Sequence, residues 1–293
     1  MMLKRAISGL VAIGLFLVVC FGGWHVFIVA AVLAAALAVT EWTTAYRRAS
    51  KVDVSHLPPA LLAMLNTALA WLGIAFPLCA AYAARHAFHP RLGIALVLAI
   101  PVALFVLMIF RAAHTGMVLG KLRQWWGVVG MAYIGLLLSA FMLLHDLGPR
   151  VRVTPFGPAN WGAWLLLYVS ICVWASDTLA YFAGRSLGRH KLAPTLSPNK
   201  TVEGALGGLC GAITTGAVFG YWIHLPMLHG LVVGLLAGVL GPLGDLFESA
   251  LKRELGIKDF GTLMPGHGGA LDRIDSMLFV VPVAYVYLVF LIH

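Results

Sequence analysis

Apolar runs separated by short polar segments dominate the pattern of this 293-residue chain. A run of about 20 apolar residues is long enough to cross a bilayer as an α-helix. Nine such runs can be delimited: residues 6–21, 24–46, 58–84, 92–110, 126–145, 161–183, 204–223, 228–246 and 276–291. The pattern predicts an all-α fold, a polytopic membrane bundle of about nine transmembrane helices.

Composition indicates the same class of protein. Hydrophobic residues make up 61% of the chain and charged residues only 11%, whereas a soluble domain carries about 25% charged residues. The four cysteines stand singly in apolar runs, so neither a disulfide framework nor a zinc site is expected. Residues 1–20 resemble a signal peptide, but no A-x-A-like cleavage site follows them, which favours an uncleaved first span.

The distribution of Lys and Arg among the loops predicts the orientation of the bundle. With a cytoplasmic N-terminus, 16 of the 20 basic residues fall on the inside, in agreement with the positive-inside rule. The residues left outside are Arg85, Arg91, Arg150 and Arg152. Both polar segments of the C-terminal half, residues 184–203 and 247–273, then face the cytoplasm. We expect a multi-pass protein of the inner (plasma) membrane with no nucleic-acid partner.

Acidic residues divide the chain into two parts. Eight of the eleven Asp and Glu residues lie from Asp177 onward. Residues 1–160 are therefore interpreted as a transmembrane scaffold, and residues 161–293 as the region that carries the chemistry. Glu41 lies near the cytoplasmic end of the second span. It is expected to be structural, because an acid at the membrane interface more often supports the fold than takes part in a reaction.

Asp177 and the segment after it form the first candidate site. An ionisable side chain within a span costs about 2.5–3.5 kcal/mol on insertion scales and usually marks a functional path. The alternative is that Asp177 forms a structural ion pair with an arginine from another helix. The segment that follows is basic and brings Ser197, Lys200 and Thr201 to the start of the seventh span. Free N–H groups at a helix start favour anions, so these three residues are candidates for nucleotide or lipid-phosphate contact.

The cytoplasmic end of the eighth span carries the second candidate. Offsets of three, four and seven place four polar residues on one helix face: Asp245, Glu248, Ser249 and Lys252. Two acids, a hydroxyl and a lysine at a membrane surface suit a cation together with a phosphate. The same span contains glycines four residues apart, which are expected to serve close helix packing: Gly230, Gly234 and Gly238.

A third polar group lies at the start of the ninth span, where Asp272 and Asp275 are three residues apart. If that helix lies beside the eighth, Asp245 and Asp272 can share a Mg²⁺ ion, which prefers one or two carboxylates together with phosphate oxygens and water. The GHGG turn at residues 266–269 would then bring backbone N–H groups and His267 to the phosphates.

No P-loop, HExxH, GxSxG or DGxxAR motif is present in the sequence. Residues 249–275 instead resemble the C-terminal signature of the bacterial phosphatidate cytidylyltransferases, also called CDP-diacylglycerol synthases. The matching residues are Ser249, Lys252, Arg253, Lys258, Asp259, Gly261, Pro265, His267, Gly268, Gly269, Asp272, Arg273 and Asp275. Residues 176–204 are also similar to the family, so the resemblance covers about residues 174–282.

The resemblance implies a homodimeric membrane enzyme that requires magnesium and makes CDP-diacylglycerol and pyrophosphate from CTP and phosphatidate. It implies metal-holding carboxylates at Asp245 and Asp272, with Asp177 as a further metal candidate. The catalytic candidates are Asp245, Asp272, Lys252 and Asp275. The substrate-binding candidates are Ser197, Lys200, Thr201, Arg253, Lys258, His267 and Arg273. Two alternatives stay open: another nucleotide-dependent lipid phosphotransferase, such as a polyprenol kinase, and a polytopic transporter.

Overall fold

Helices account for most of the computed structural model, which describes residues 2–49, 64, 67, 68, 71, 79, 126–148, 152–154, 157–261 and 268–292. The helices are α1 (Met2–Phe21), α2 (Trp24–Ala49), α3 (Trp126–Gly130), a π-helix (Met131–Leu136), α4 (Leu137–His145), α5 (Trp161–Leu187), α6 (Val202–Trp222), α7 (Met227–Glu254) and α8 (Leu271–Ile292). Two antiparallel ribbons are formed by β1 (Arg152–Thr154) with β2 (Gly157–Ala159) and by β3 (Lys191–Ala193) with β4 (Ser197–Thr201).

Six helical segments in the described part of the chain are long and apolar enough to cross a membrane. They are Trp24–Arg48, Trp126–His145, Trp161–Leu187, Val202–Trp222, Met227–Glu254 and Leu271–Leu291, and a shorter apolar helix covers Gly9–Phe21. The mostly helical, multi-pass architecture is therefore confirmed. The predicted spans at residues 58–84 and 92–110 lie almost wholly outside the described residues.

The helices that carry the candidate residues extend beyond their apolar spans. α7 continues to Glu254, past the predicted end at residue 246, and α8 begins at Leu271 instead of residue 276. Charged residues can remain helical at such ends because side chains four positions apart pair with each other, as Lys252 and Glu248 do at 2.9 Å. Hydropathy alone misses these polar turns, which hold the candidate acids and lysines.

Aromatic side chains join the N-terminal helices to the polar end of α7. Trp42 of α2 stacks on Trp126 with ring centroids 4.1 Å apart and on Phe260 at 5.6 Å. Tyr133 of the π-helix meets Phe247 of α7 edge-on at 5.3 Å. All five rings are buried, and such pairs add about 0.5–1.5 kcal/mol each to the effect of burial. The N-terminal part of the chain is thus packed directly against the candidate site.

Glycines bring the backbones of α6 and α7 into contact, which confirms the packing expected from their spacing. A Cβ atom on Gly234 would lie 2.5 Å from the backbone oxygen of Ala212, and one on Gly230 would lie 2.6 Å from that of Gly216. The hydroxyl of Tyr168 in α5 donates to the same Gly216 oxygen at 3.0 Å. The three helices therefore meet along a close seam that fixes the position of α7.

We expect Gly234→Leu to destabilise the protein by about 1–3 kcal/mol, because a larger side chain at a filled backbone contact forces the helices apart. The measurement is the thermal unfolding midpoint of the protein in detergent. Gly14→Leu is the matched control, since nothing lies within 4 Å of a Cβ atom at Gly14. Equal midpoints for the two variants would contradict the close α6–α7 contact.

The β3–β4 hairpin orders the polar segment that precedes α6. Its strands pair Lys191 with Thr201 in an antiparallel register. Thr201 is also the N-cap of α6, where its hydroxyl accepts from the N–H group of Gly204 at 3.1 Å. The carboxylate of Glu203, in the first turn of α6, lies 2.6 Å from the ring nitrogen Nδ1 of His190, the residue before β3. The segment predicted as a loop is therefore a paired ribbon fixed to the start of α6.

Candidate functional site

Polar residues of α7 lie on one face of the helix, as their spacing predicts. Ser249 Oγ donates to Asp245 Oδ1 at 3.3 Å, and Lys252 Nζ donates to Glu248 Oε1 at 2.9 Å. The Glu248 side chain is 0% exposed and that of Lys252 is 12% exposed. Because an uncompensated buried charge is costly, the lysine and the glutamate depend on each other.

Lys200 connects the β3–β4 hairpin to this face of α7. Its Nζ lies 2.7 Å from Asp245 Oδ2 and 3.4 Å from the carbonyl oxygen of Pro242. The side chains of Lys200 and Asp245 are 23% and 36% exposed, so solvent and ligands can reach both. Ser197 and Thr201 lie at the two ends of the same strand. The structure thus places the predicted phosphate-contact segment beside the predicted metal carboxylate.

Asp272 connects α7 to the start of α8. Its Oδ1 accepts from Lys252 Nζ at 2.8 Å, and its Oδ2 accepts from the backbone N–H groups of Phe260 and Gly269 at 3.0 and 2.8 Å. A carboxylate offers about four lone-pair sites, so one on Oδ1 remains for another partner. The N–H group of Gly269 therefore binds Asp272, although the sequence predicted that GHGG N–H groups contact phosphate.

Asp177 and Asp275 lie close enough to Asp245 for its charge to act on both carboxyl groups. The positive charges of Lys200 and Arg273 act on Asp177 as well. α7 and α8 approach closely at this level, since a Cβ atom on Gly244 would lie 2.7 Å from the backbone oxygen of Asp275. Acids from α5, α7 and α8 therefore converge beside the lysine of the hairpin.

The donor set around Asp245 suits a hard divalent cation. Mg²⁺ binds through one or two carboxylates, and water and substrate phosphates complete its shell. In the described residues, which leave out 262–267, no group of three or more His, Cys, Asp or Glu side chains is arranged to hold a metal.

Several predicted substrate-binding residues lie away from this cluster. Arg253 is exposed and donates from Nη1 to the carbonyl oxygen of Ile257 at 3.1 Å. Lys258 is exposed in the turn after α7. Arg273 is exposed in the first turn of α8, yet its charge acts on Asp177. His267 lies outside the described residues. The residues that the structure brings together are Asp177, Lys200, Asp245, Ser249, Lys252, Asp272, Arg273 and Asp275.

Three contributors to this region were not assigned to the site from the sequence. Glu248 was recognised only as part of the helix face, yet its Oε2 accepts from the hydroxyl of Tyr133 at 3.3 Å. The carboxylate of Glu41 accepts from the backbone N–H groups of Ala270 and Leu271 at 2.9 and 3.0 Å. Helical offsets pointed to Glu248. No local pattern connects Tyr133 or Glu41 with partners 115 and 229 positions away.

A family model matches nearly the whole length of this chain, and individual relatives match about half of it. The model of the cytidylyltransferase family matches residues 3–291. A phosphatidate cytidylyltransferase of Bacillus subtilis is 42% identical over 155 residues, which are 52% of this chain and 54% of the relative. The protein of the same name from Synechocystis is 37% identical over 182 residues, 56% of this chain and 62% of the relative.

A third relative, the phosphatidate cytidylyltransferase of Staphylococcus haemolyticus, is 44% identical over 130 residues, which are 44% of this chain and 50% of the relative. The chain therefore spans about half the length of the curated relatives it matches. The family match extends over both halves of the chain, including the N-terminal helices that carry Glu41 and Tyr133.

Proposed function

Because the chain belongs to the cytidylyltransferase family, we propose that it is a membrane-bound nucleotidyltransferase that transfers CMP from CTP to phosphatidate. The products are CDP-diacylglycerol, an intermediate of phospholipid biosynthesis, and pyrophosphate. The names of the relatives support this choice of substrates. The observation that carries the proposal is the convergence of both polar segments through the Lys200–Asp245 and Lys252–Asp272 contacts.

The reaction requires charge neutralisation more than it requires a base. A phosphate oxygen of phosphatidate forms a bond to the α-phosphorus of CTP. The bond from that phosphorus to the oxygen bridging to the β-phosphate breaks, and its electron pair leaves with pyrophosphate. A phosphate monoester is already anionic at about pH 7. The barrier is the approach of two polyanions, which cationic side chains lower by orientation and electrostatic stabilisation.

We assign that task to two lysines, Lys200 and Lys252. The Lys200 side chain is partly exposed and already binds an anionic oxygen, that of Asp245. We therefore propose that Lys200 contacts a substrate phosphate. Lys252 is held by Glu248 and Asp272, which fixes its ammonium group at the junction of α7 and α8. The other residues that we propose to contact the nucleotide or the lipid phosphate are Ser197, Thr201, Arg253, Lys258, His267 and Arg273.

We propose that Asp245 is the principal Mg²⁺ ligand. Asp272 can contribute the spare lone pair of its Oδ1, and Asp177 and Asp275 add negative charge close to Asp245. Bound Mg²⁺ supplies charge neutralisation on the phosphate oxygens and orientation of the leaving group. Ser249 and Lys200 limit the directions in which the Asp245 carboxylate can bind, because each occupies one of its oxygens.

The topology that we propose has about nine spans, a cytoplasmic N-terminus and an active site that faces the cytoplasm, where CTP and magnesium are available. The distribution of basic residues supports it, since 16 of 20 fall on that side. We assign the protein to the inner (plasma) membrane and expect a homodimer, as the sequence resemblance implies.

Two alternatives have less support. A polyprenol kinase would share the use of lysines and a metal, but the family match and the named relatives favour cytidylyl transfer. A transporter would place functional acids along a path through several spans. In the described residues, acids of α5, α7 and α8 instead converge near one end of α7 and the start of α8.

A direct assay tests the proposal. Purified protein in detergent, supplied with CTP, phosphatidate and Mg²⁺, is expected to release pyrophosphate and form CDP-diacylglycerol. Diacylglycerol in place of phosphatidate is the control, because it lacks the phosphate nucleophile. A lipid kinase would release a nucleoside diphosphate instead of pyrophosphate. Release of a nucleoside diphosphate, or no transfer at all, would overturn the proposal.

A further inference from the structure

The carboxylate of Glu41 lies at the junction between the N-terminal helices and the candidate site. It accepts from the backbone N–H groups of Ala270 and Leu271 at 2.9 and 3.0 Å, across a separation of 229 and 230 residues. Leu271 is the first residue of α8 and Ala270 directly precedes it, and N–H groups at the start of a helix have no partner within the helix. An anion at this end of a helix also interacts favourably with the helix dipole. Glu41 thus caps α8 from another helix.

The same carboxylate contacts both ends of the segment that precedes α8. A Cβ atom added to Gly261 or to Gly269 would meet Glu41, and at each position the three nearest atoms belong to its side chain. Neither glycine has a positive φ angle. The absence of a side chain at these two positions is therefore explained by the close approach of Glu41.

A second carboxylate acts on the same backbone. Asp272 accepts from the N–H groups of Phe260 and Gly269 at 3.0 and 2.8 Å. Asp272 therefore binds the N–H groups of Phe260 and Gly269, and Glu41 binds those of the next two residues, Ala270 and Leu271. A shift of this backbone would move Asp272, and with it Lys252, whose Nζ lies 2.8 Å from Asp272 Oδ1.

The neighbour of Glu41 in α2 holds the other side of the segment. Trp42 stacks on Phe260, the residue before Gly261, at 5.6 Å. Its indole N–H donates to the carbonyl oxygen of Trp126 at 3.1 Å, and its ring is fully buried. The end of α2 is therefore anchored in the core, so the position of Glu41 is fixed independently of the segment that it holds.

We propose that Glu41 is a positioning residue of the active site: its carboxylate fixes Gly261, Gly269 and the start of α8 so that Asp272 and Lys252 face the substrates. This inference rests on the proposed function for its kinetic consequence. Its structural part, the hold on the backbone, does not depend on which reaction the protein catalyses. The residue therefore belongs to the site, although the sequence indicated a structural acid in a scaffold.

We expect Glu41→Ala to lower kcat about 10- to 100-fold with a smaller change in KM, since small displacements of reacting groups cost about that much. Glu41→Gln should recover most of the loss, because its amide oxygen still accepts one of the two N–H groups. Glu254→Gln removes a half-buried carboxylate at the last position of α7 and is expected to leave kcat unchanged. Full activity of Glu41→Ala would overturn the proposal.

A double-mutant cycle separates positioning from general loss of stability. Gly269→Ala alone should lower kcat, because its Cβ atom displaces the Glu41 carboxylate. In the Glu41→Ala background the same change should cost little more, since the obstructing side chain is gone. Independent, multiplicative effects of the two substitutions would contradict the proposed contact.

Hydrogen exchange gives a readout that needs no activity. In Glu41→Ala, the amides of residues 268–271 should exchange faster than in the parent, whereas Glu254→Gln should leave them unchanged. If the parent fails to transfer CMP but this exchange difference is present, the proposed function is wrong and the hold on the backbone stands. Unchanged exchange in Glu41→Ala would show that Glu41 does not hold the segment.

Discussion

Replacing Asp245 by Asn is expected to lower the rate of CMP transfer by about 1,000-fold. Loss of one electrostatic contact at a reacting centre lowers kcat by up to about that factor. The amide oxygen can still accept from Lys200, whose Nζ lies 2.7 Å from the carboxylate. The fold and the position of the lysine should therefore be kept, while the negative charge that we assign to Mg²⁺ binding is lost. Initial rates of pyrophosphate release at several Mg²⁺ concentrations measure the effect.

The magnesium dependence distinguishes a metal ligand from a structural acid. We expect higher Mg²⁺ concentrations to recover part of the Asp245→Asn activity, because the weakened site fills at higher concentration. Glu254→Gln, at the last position of α7, serves as the control and should behave like the parent. If Asp245→Asn keeps more than a tenth of the parent rate at low Mg²⁺, the assignment of Asp245 as the principal ligand is incorrect.

Removing the charge of Lys252 should affect both stability and activity. In Lys252→Met, the carboxylates of Glu248 and Asp272 lose a partner that lies 2.9 and 2.8 Å away. Breaking one member of a buried charged pair costs about 3–5 kcal/mol, because the remaining charge stays buried without compensation. We therefore expect a clear drop in the thermal unfolding midpoint in detergent, together with loss of CMP transfer.

The double variant Lys252→Met, Glu248→Gln tests that reasoning. Glu248 is fully buried, so neutralising it removes the uncompensated charge and should restore much of the thermal stability. Activity should remain low, because the site still lacks the Lys252 ammonium group that faces the substrates. Lys191→Met removes an exposed lysine of the β3–β4 hairpin and is expected to change the midpoint little. Equal midpoints for the single and double variants would show that charge burial is not the cause.

Local patterns in the sequence predicted much of this architecture. Apolar length located the helices, and the four-residue glycine spacing predicted the close contact that Gly234 makes with Ala212. Helical offsets placed Asp245 and Lys252 on one face of α7, where the structure has them. These properties depend on residues within a few turns of one another, so the sequence order alone is sufficient to predict them.

Contacts between distant parts of the chain could not be predicted in this way. Because residues 1–160 were interpreted as a scaffold, Glu41 and Tyr133 were not predicted to belong to the site. Both contact it from helices far earlier in the sequence. The π-helix that carries Tyr133 has no periodic hydrophobic signal of its own, and such turns often occur at functional sites. The short β3–β4 pairing was also missed, because hydropathy treats any polar stretch between spans as a loop.

The capping of α8 by Glu41 also bears on how the protein is made. The carboxylate and its two backbone partners are 229 and 230 residues apart, so the contact can form only after α8 has left the ribosome. A shortened chain that ends before α8 would lack this connection. In the order of synthesis, the contact therefore forms after the β3–β4 hairpin and α7 have been made.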